Sequence, residues 1–292
     1  MKRTAGRWNQ GDRNIYFVAN VPSAMSQTAK MHDFLLVAIN EFNDDYQERV
    51  NEWIANDKKV FIDSGVFNLA SEHARRNNVS HNVALSMAPG EIDGFDKLFD
   101  KYCSILGRIG DNCWGYIEID QGGRENKIKT RKRLESMGFR PIPVYHPMND
   151  GWDYFDELAS TYDRICVGNL VQAERDVRKR IIATIWERKQ AYPNLWIHLL
   201  GVTPNQTFSA YPMESSDSSS ITSITRYGST SGFNDMALQT GSPLPRGYVY
   251  EQGQPEGEGG YYKAHRFVGY VGSFMSRTWG SVVREYQERG LI

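Results

Sequence analysis

The sequence predicts an α/β fold, a (β/α)8 TIM-type barrel that forms one domain over residues 1–292. Short apolar runs with β-branched residues alternate along the chain with charged stretches of helical spacing. Nearly every run ends in polar or glycine residues, and a barrel gathers such strand ends around one mouth. The length suits one barrel. We therefore prefer a barrel to an open doubly wound sheet, which is the structural alternative.

Seven strands are predicted from apolar runs, each of which is flanked by turn-forming residues. They are residues 15–21, 59–65, 113–120, 140–147, 163–170, 195–202 and 209–217. An eighth strand, with a weaker pattern, is placed at residues 233–241. Helices are predicted at residues 28–56, 94–107, 125–137, 151–161, 172–191 and 263–289. This alternation predicts parallel strands, because a helix must return the chain between them.

Two segments are predicted to be irregular. Residues 214–232 form a Ser/Thr-rich loop, and residues 251–260 form a Gly-rich loop with acidic residues. The first follows a predicted strand directly, so it is a candidate active-site loop.

Composition limits the classes of protein that remain. Hydrophobic residues make up 40% and charged residues 24%, as in chains that bury a large core. No apolar run approaches membrane-spanning length and the start lacks a signal-peptide core, so we expect no membrane partner and a cytoplasmic location. The three cysteines are odd in number and widely spaced, which argues against a disulfide framework or a Cys-x-x-Cys metal site. A net charge of −1 leaves nucleic-acid binding to local patches.

Three predicted strands end in an aspartate. Asp63, Asp120 and Asp217 close the second, third and seventh predicted strands. One such residue is often a turn or helix cap, and Asp217 among serines could be a solvated loop acid. Three together are harder to explain in this way. Paired carboxylates suit reactions at an anomeric carbon, where one is the nucleophile and the other moves a proton.

Other polar groups are expected at the same mouth. Tyr145 and His146 lie at the end of the fourth predicted strand. Glu118, two residues before Asp120, is expected on the same side of its strand and one layer deeper.

Three short segments resemble the guanine transglycosylases, a superfamily that includes the queuine and archaeosine tRNA-ribosyltransferases and exchanges guanine for a 7-deazaguanine. IDSGVFNLA looks like the family's Asp-Ser-Gly-Gly-Phe-Gln segment, ICVGNLV like its Gly-Gly-Leu segment, and HLLGVTP like its Leu-Met-Gly-Val-Gly segment. Their order and spacing also fit, across about residues 15–230. The resemblance implies a pentosyltransferase that works by double displacement without a metal or other cofactor.

The same resemblance implies a role for each matched residue. Asp217 would be the nucleophile on the sugar C1′, Asp63 the general acid/base, and Asp120 the group that recognises the purine edge. The residues implied to bind the base are Ser64, Phe67, Gly168, Asn169 and Gly201.

The sequence also departs from the family pattern. Val66, Asn68 and Asn169 replace a Gly, a Gln and a Gly of the motifs, which leaves the incoming 7-deazaguanine undefined. The tRNA enzymes carry a C-terminal zinc subdomain with three cysteines, and no cysteine follows Cys166. The chain therefore looks most like the small phage-type members, which modify DNA, and tRNA is the alternative partner. If the protein is phage-encoded, we expect it in the host cytoplasm.

Local basic runs are candidate nucleic-acid contacts, although such runs are also often solvated helix faces. Arg226, in the loop after Asp217, is predicted to contact the phosphate beside the target nucleotide. On the helix after the third strand the candidates are Lys127, Lys129, Arg131, Lys132 and Arg133.

Two functions of other classes stay open. A metal-dependent barrel hydrolase would use a cluster drawn from Asp63, Asp120, His146, His198 and Asp217. Against it, no His-x-His pair occurs, and His198 is expected to face outward from mid-strand. A barrel that binds a modified base without changing it is the second alternative. The sequence leaves the oligomeric state and the target sequence undefined.

Overall fold

The computed structural model describes residues 1–12, 15–19, 29, 33–203, 211 and 213–219. Within them eight strands form one curled sheet in which every neighbouring pair is parallel, in the order β4-β3-β2-β1-β8-β7-β6-β5. The α/β class and the parallel strands are thus confirmed. The strands are β1 Ile15–Ala19, β2 Phe34–Ala38, β3 Lys59–Asp63, β4 Gly115–Tyr116, β5 Val144–Tyr145, β6 Arg164–Val167, β7 Trp196–Leu199 and β8 Ser215–Ser218.

Helices connect most of the strands. In the described ranges they are α1 Asp44–Ala55, α2 Val66–Asn77, α3 His81–Ser86, α4 Phe95–Ile109, α5 Gly123–Ser136, α6 Trp152–Thr161 and α7 Arg175–Lys189. The last four match the helices predicted there, whereas α2 and α3 were not predicted. None of these helices has both the length and the apolar content needed to cross a bilayer.

Side-chain caps set where two of the helices begin. The Asn43 side chain accepts a hydrogen bond from the Tyr46 amide at 2.8 Å, which starts α1. Ser80 does the same for the Val83 amide at 3.2 Å at the start of α3. Each cap satisfies an amide that has no partner within its own helix.

Strand β2 corrects the prediction of one helix over residues 28–56. Residues 34–38 pair with β1 on one side and with β3 on the other, in a register that sets Ala38 beside Asp63. The FLLVA sequence suits a helix as well as a strand, and pairing with two neighbours decides between them. β2 is therefore a strand that the sequence did not predict. The strand predicted at 233–241, the loop 251–260 and the helix 263–289 lie outside the described residues.

Strand β8 corrects the start of the predicted loop 214–232. Ser215–Ser218 form a strand whose four residues are all buried, because β1 and β7 pair with it on either side. Small serine side chains let the two neighbouring strands and their bulky residues pack closely around it. Residues 220–232 lie outside the described part.

The inner face of the curled sheet is filled mainly by large apolar side chains. Phe17 lies among them, with its ring centroid 5.2 Å from that of Phe61 and 4.9 Å from that of Trp114. Other members of this inner cluster are Trp8, Ile15, Leu36, Ile117, Ile142, Val144, Cys166 and Trp196. Two further clusters join the sheet to the helices. The packed interior supports the strand ends, where the aspartates lie.

Candidate active site

Asp217 lies in β8, directly beside Phe17 of β1. Its residue is only 6% exposed, which excludes the solvated loop acid considered from the sequence. Oδ1 accepts a hydrogen bond from the Gly201 amide at 3.0 Å and lies 3.0 Å from Nε2 of His198. Asp217 is therefore a buried carboxylate whose orientation is fixed by two groups from β7 and the turn after it.

His198 faces the interior of the sheet, so the expectation that it points outward is wrong. It is fully buried, and its ring centroid lies 4.9 Å from that of Phe61. Its Nδ1 lies 2.5 Å from the hydroxyl of Ser215. The sequence pattern that indicates this direction is the two-residue period of a strand, which places His198 on the same face as Trp196.

Asp63 ends β3, and its carboxyl has a raised pKa. Burial, and then the negative charges of Asp120 and Asp217, raise the pKa of its carboxyl to about 7. The Gly65 amide donates a hydrogen bond to Oδ2 at 3.3 Å and opposes part of this rise. The three predicted aspartates thus come from three parallel strand ends and interact electrostatically. A carboxyl with this pKa can give or take a proton near neutral pH.

Asp120 follows β4, and the pKa of its carboxyl is shifted in the opposite direction. Its Oδ2 lies 3.0 Å from Nε2 of His146, which follows β5. Burial alone would raise the pKa of Asp120, but the hydrogen bond and charge of His146, with the charge of Lys127, hold it below the ordinary value. The pKa values of Asp63 and Asp120 are therefore shifted in opposite directions, which is the arrangement expected of an acid/base group beside an acceptor.

Gly168, after β6, lies against this pair. A Cβ at Gly168 would lie 2.9 Å from both Cδ2 and Nε2 of His146. Glycine is therefore required for His146 to keep its position beside Asp120.

The other predicted base-binding residues follow strands at the same end of the sheet. Ser64 is buried, whereas Phe67 is 55% exposed and its ring lies 4.4 Å from the ring of His81. Asn169 has a φ of 63° and its side chain donates to the side chain of Asn149. The Gly201 amide donates a hydrogen bond to the Asp217 carboxylate, so its partner is that side chain.

Glu118, two residues before Asp120, is held by a cation of α5 and by a backbone amide. It is fully buried and pairs with Arg131 of α5 at 2.9 Å, and it accepts a hydrogen bond from the Val144 amide at 2.6 Å. Lys127 is also fully buried, 2.6 Å from Asp150. The prediction that Lys127 and Arg131 contact nucleic acid is wrong, because both cations are buried in ion pairs.

The remaining basic residues predicted on this helix, Lys129, Lys132 and Arg133, are exposed. Lys132 lies nine residues after the start of α5, about 14 Å along the axis at the rise of an α-helix. The guanidinium of Arg133 lies 3.8 Å from the centre of the Phe99 ring. Arg226 lies outside the described residues.

Gln121 is a structural residue beside the site that sequence analysis missed. It is fully buried, and its amide nitrogen donates to the carbonyls of Ala84 at 2.7 Å and Met87 at 2.8 Å. These bonds join the last turn of α3 and Met87, which follows it, to the residue next to Asp120. A polar side chain between a strand end and two glycines is the pattern that could have indicated it.

In the part of the chain that the structure describes, no three His, Cys, Asp or Glu side chains group in a way that could hold a metal ion. No family model and no curated protein matches the chain.

Proposed function

We propose that this protein is a transglycosylase that replaces guanine in DNA with a 7-deazaguanine derivative through a covalent aspartyl-sugar intermediate. The observation that supports it best is the electrostatic coupling of Asp63 to Asp120 and Asp217, which come from three parallel strands, with the pKa of Asp63 at about 7. One oriented carboxylate, one proton carrier and one acceptor are the groups that base exchange at C1′ requires.

In the first step Oδ2 of Asp217 attacks C1′ of the target nucleotide. The bond from C1′ to N9 breaks and its electron pair leaves with guanine, which takes a proton from Asp63. The products of this step are neutral guanine, an ester between Asp217 and the sugar, and ionised Asp63. Hydrogen bonds from Gly201 and His198 to Oδ1 leave Oδ2 for the attack.

In the second step the incoming 7-deazaguanine attacks C1′ through its N9. The ester bond breaks, its electrons return to Asp217, and the N9 proton passes to Asp63. The enzyme is thereby restored with no net gain or loss of protons. Because the pKa of Asp63 lies near 7, neither proton transfer is strongly uphill at neutral pH.

Asp120 is proposed to recognise the base rather than to react. Its lowered pKa keeps it ionised, so it can accept hydrogen bonds from the N–H groups on the edge of a guanine-like base. Ser64 and Gly168, and Phe67 on the exposed side, complete the proposed base pocket.

A closed barrel is part of the proposal, because closure brings all strand ends to one mouth. Residues 117 and 142, beside the two edge strands β4 and β5, form a parallel bridge. The Ile142 amide donates to the Tyr116 carbonyl at 2.8 Å, and the Glu118 amide donates to the Ile142 carbonyl at 3.0 Å. These bonds support closure between the edges of the sheet.

DNA is the proposed polymer because residues 167–292 contain no cysteine, whereas the zinc site of the tRNA enzymes uses three. Attack at C1′ in a duplex would require the nucleotide to turn out of the stack.

Exchange of radiolabelled guanine, measured side by side with DNA and with tRNA, tests the proposal. We expect label to enter DNA, and Asp217→Asn to abolish entry while DNA binding is retained. Label in tRNA alone would make tRNA the substrate and overturn the choice of DNA. Label in neither polymer, under conditions where both bind, would overturn base exchange and favour a non-catalytic binding protein.

A further inference from the structure

His198 is the buried titratable group closest to the proposed nucleophile, and the reaction scheme gives it no chemical step. It lies in β7, and its register partner in β8 is Ser215, two residues before Asp217. The imidazole therefore spans two levels of the neighbouring strand. It contacts the Ser215 hydroxyl through Nδ1 at 2.5 Å and Oδ1 of Asp217 through Nε2 at 3.0 Å.

We infer that His198 is a positioning residue that orients Asp217, so that Oδ1 is held and Oδ2 is the reacting oxygen. The inference rests on the proposed function, because it assigns His198 a role through the nucleophile. A second donor, the Gly201 amide, lies 3.0 Å from the same oxygen. Two donors from different directions fix both the place of Oδ1 and the rotation of the carboxylate plane.

The direction of the hydrogen bond follows from the chemistry of its acceptor. An ionised carboxylate has no proton to give, so Nε2 of His198 must carry the hydrogen. In a neutral ring Nδ1 then accepts from the Ser215 hydroxyl, and in a charged ring Nδ1 donates to it. In either state Nε2 donates to Asp217, so the orientation of the carboxylate does not depend on the protonation of His198.

The aromatic surroundings keep the ring in place. Its centroid lies 5.7 Å from that of Phe17 and 4.9 Å from that of Phe61, both edge-on. The indole of Trp196 lies 6.1 Å away and nearly parallel, at 4°. A fully buried imidazole packed in this way has little freedom to swing away from Asp217. Displacement of a reacting atom by about 1 Å can cost on the order of a hundredfold in rate.

The test compares two amides that differ in reach. In His198→Gln the terminal amide can occupy the place of Nε2 and donate to Asp217. In His198→Asn the shorter amide reaches the place of Nδ1, near Ser215, but not Asp217. We expect His198→Asn to lower kcat for exchange and the rate of adduct formation about 10- to 100-fold, with KM for nucleic acid nearly unchanged. His198→Gln should recover most of this loss.

A merely structural role predicts a different result. Both variants would then lose activity in proportion to the loss in thermal unfolding midpoint, and Gln would not rescue. Wild-type rates in folded His198→Asn, or equal losses in the two amides at equal stability, would overturn the inference. Ser215→Ala, a milder change, removes only the partner of Nδ1, and we expect a smaller loss of kcat in the same direction.

The wild-type protein separates this inference from the proposed function. Absence of a covalent adduct with both DNA and tRNA would overturn the proposed function, whatever the variants do. Nitrogen NMR of histidine-labelled protein tests the hydrogen bond without any reaction. A proton on Nε2 of His198 is the expected result, and its absence would overturn the inference.

Discussion

Nε2 of His146 lies 3.0 Å from Oδ2 of Asp120, and this contact joins the segments that follow β5 and β4. The His146 amide in turn donates to Asp150 at 2.9 Å, and Asp150 pairs with Lys127 of α5. The orientation of the Asp120 carboxylate is thus fixed by a chain of buried polar contacts. Such a chain stabilises one arrangement of the site only while each member keeps its partner.

Replacement of His146 by alanine should raise the pKa of Asp120, because the hydrogen bond and charge of His146 no longer oppose the effect of burial. In the wild type the pKa of Asp120 is lower in the folded than in the unfolded protein. The ionised carboxyl therefore stabilises the fold at pH values above 3.8, and this stabilisation is lost as the pH falls through the folded pKa. We expect His146→Ala to be less stable by about 1 to 3 kcal/mol at pH 7, with a smaller difference at low pH. Urea unfolding across pH 3 to 7 measures this. An equal loss at all pH values would contradict it.

Gly168→Ala should displace His146, since the new methyl group would lie 2.9 Å from its ring. We expect a loss of stability of about 1 to 3 kcal/mol and weaker binding of a guanine-like base. Gly107 is the matched control, because a Cβ there has no neighbour within 4 Å and the residue lies inside α4. Gly107→Ala should stabilise by up to about 1 kcal/mol. Unchanged base affinity in Gly168→Ala, measured by calorimetry, would refute the role of this contact.

Sequence periodicity predicted the helices α4 to α7 and the aspartates at strand ends, because both depend on local patterns. It failed for β2, and it placed β8 too early, at residues 209–217, because both are strands through pairing with their neighbours. FLLVA has no strict alternation, and SSDS has no apolar residue at all, yet each pairs on both sides. Local sequence does not determine which strands become neighbours in the sheet.

The basic residues of α5 illustrate the same limit. Alternation of charge along a helix does not show which cations face a buried carboxylate. Lys127 and Arg131 are four residues apart and so share one face, but only the fold shows that Asp150 and Glu118 lie opposite them.

Arg131 and its neighbour Lys132 should therefore respond differently to the same substitution. Arg131→Met leaves Glu118 buried without its cation, and we expect a decrease of about 3 to 5 kcal/mol in the free energy of unfolding. Lys132→Met, on the exposed face, should leave stability nearly unchanged. Neither should alter the salt dependence of DNA binding, whereas removal of a cation that binds a phosphate would lower that slope by about one. A lower slope in Lys132→Met would restore this face of α5 as a binding surface.

Asp63→Asn should remove a dependence of stability on pH that the wild type shows near neutrality. The folded pKa of Asp63 is about 7 against an ordinary value of 3.8, so the folded state binds the proton more tightly. The contribution of Asp63 to the free energy of unfolding is therefore fully present below about pH 4 and decreases as the pH rises to about 7. Above that pH, the ionised carboxyl faces burial and the charges of Asp120 and Asp217, which a neutral amide avoids.

We accordingly expect Asp63→Asn to gain stability over the wild type progressively from pH 4 to pH 7, and to lose base exchange because it cannot carry the proton. Chemical unfolding of both proteins at each pH gives the difference, in which groups common to both cancel. Asp57→Asn is the control, since that side chain is 94% exposed and Asn tolerates its φ of 65°. The control should show no such trend. A pH-independent difference for Asp63→Asn would mean that its carboxyl titrates as an ordinary aspartate and does not serve as the proton carrier near pH 7.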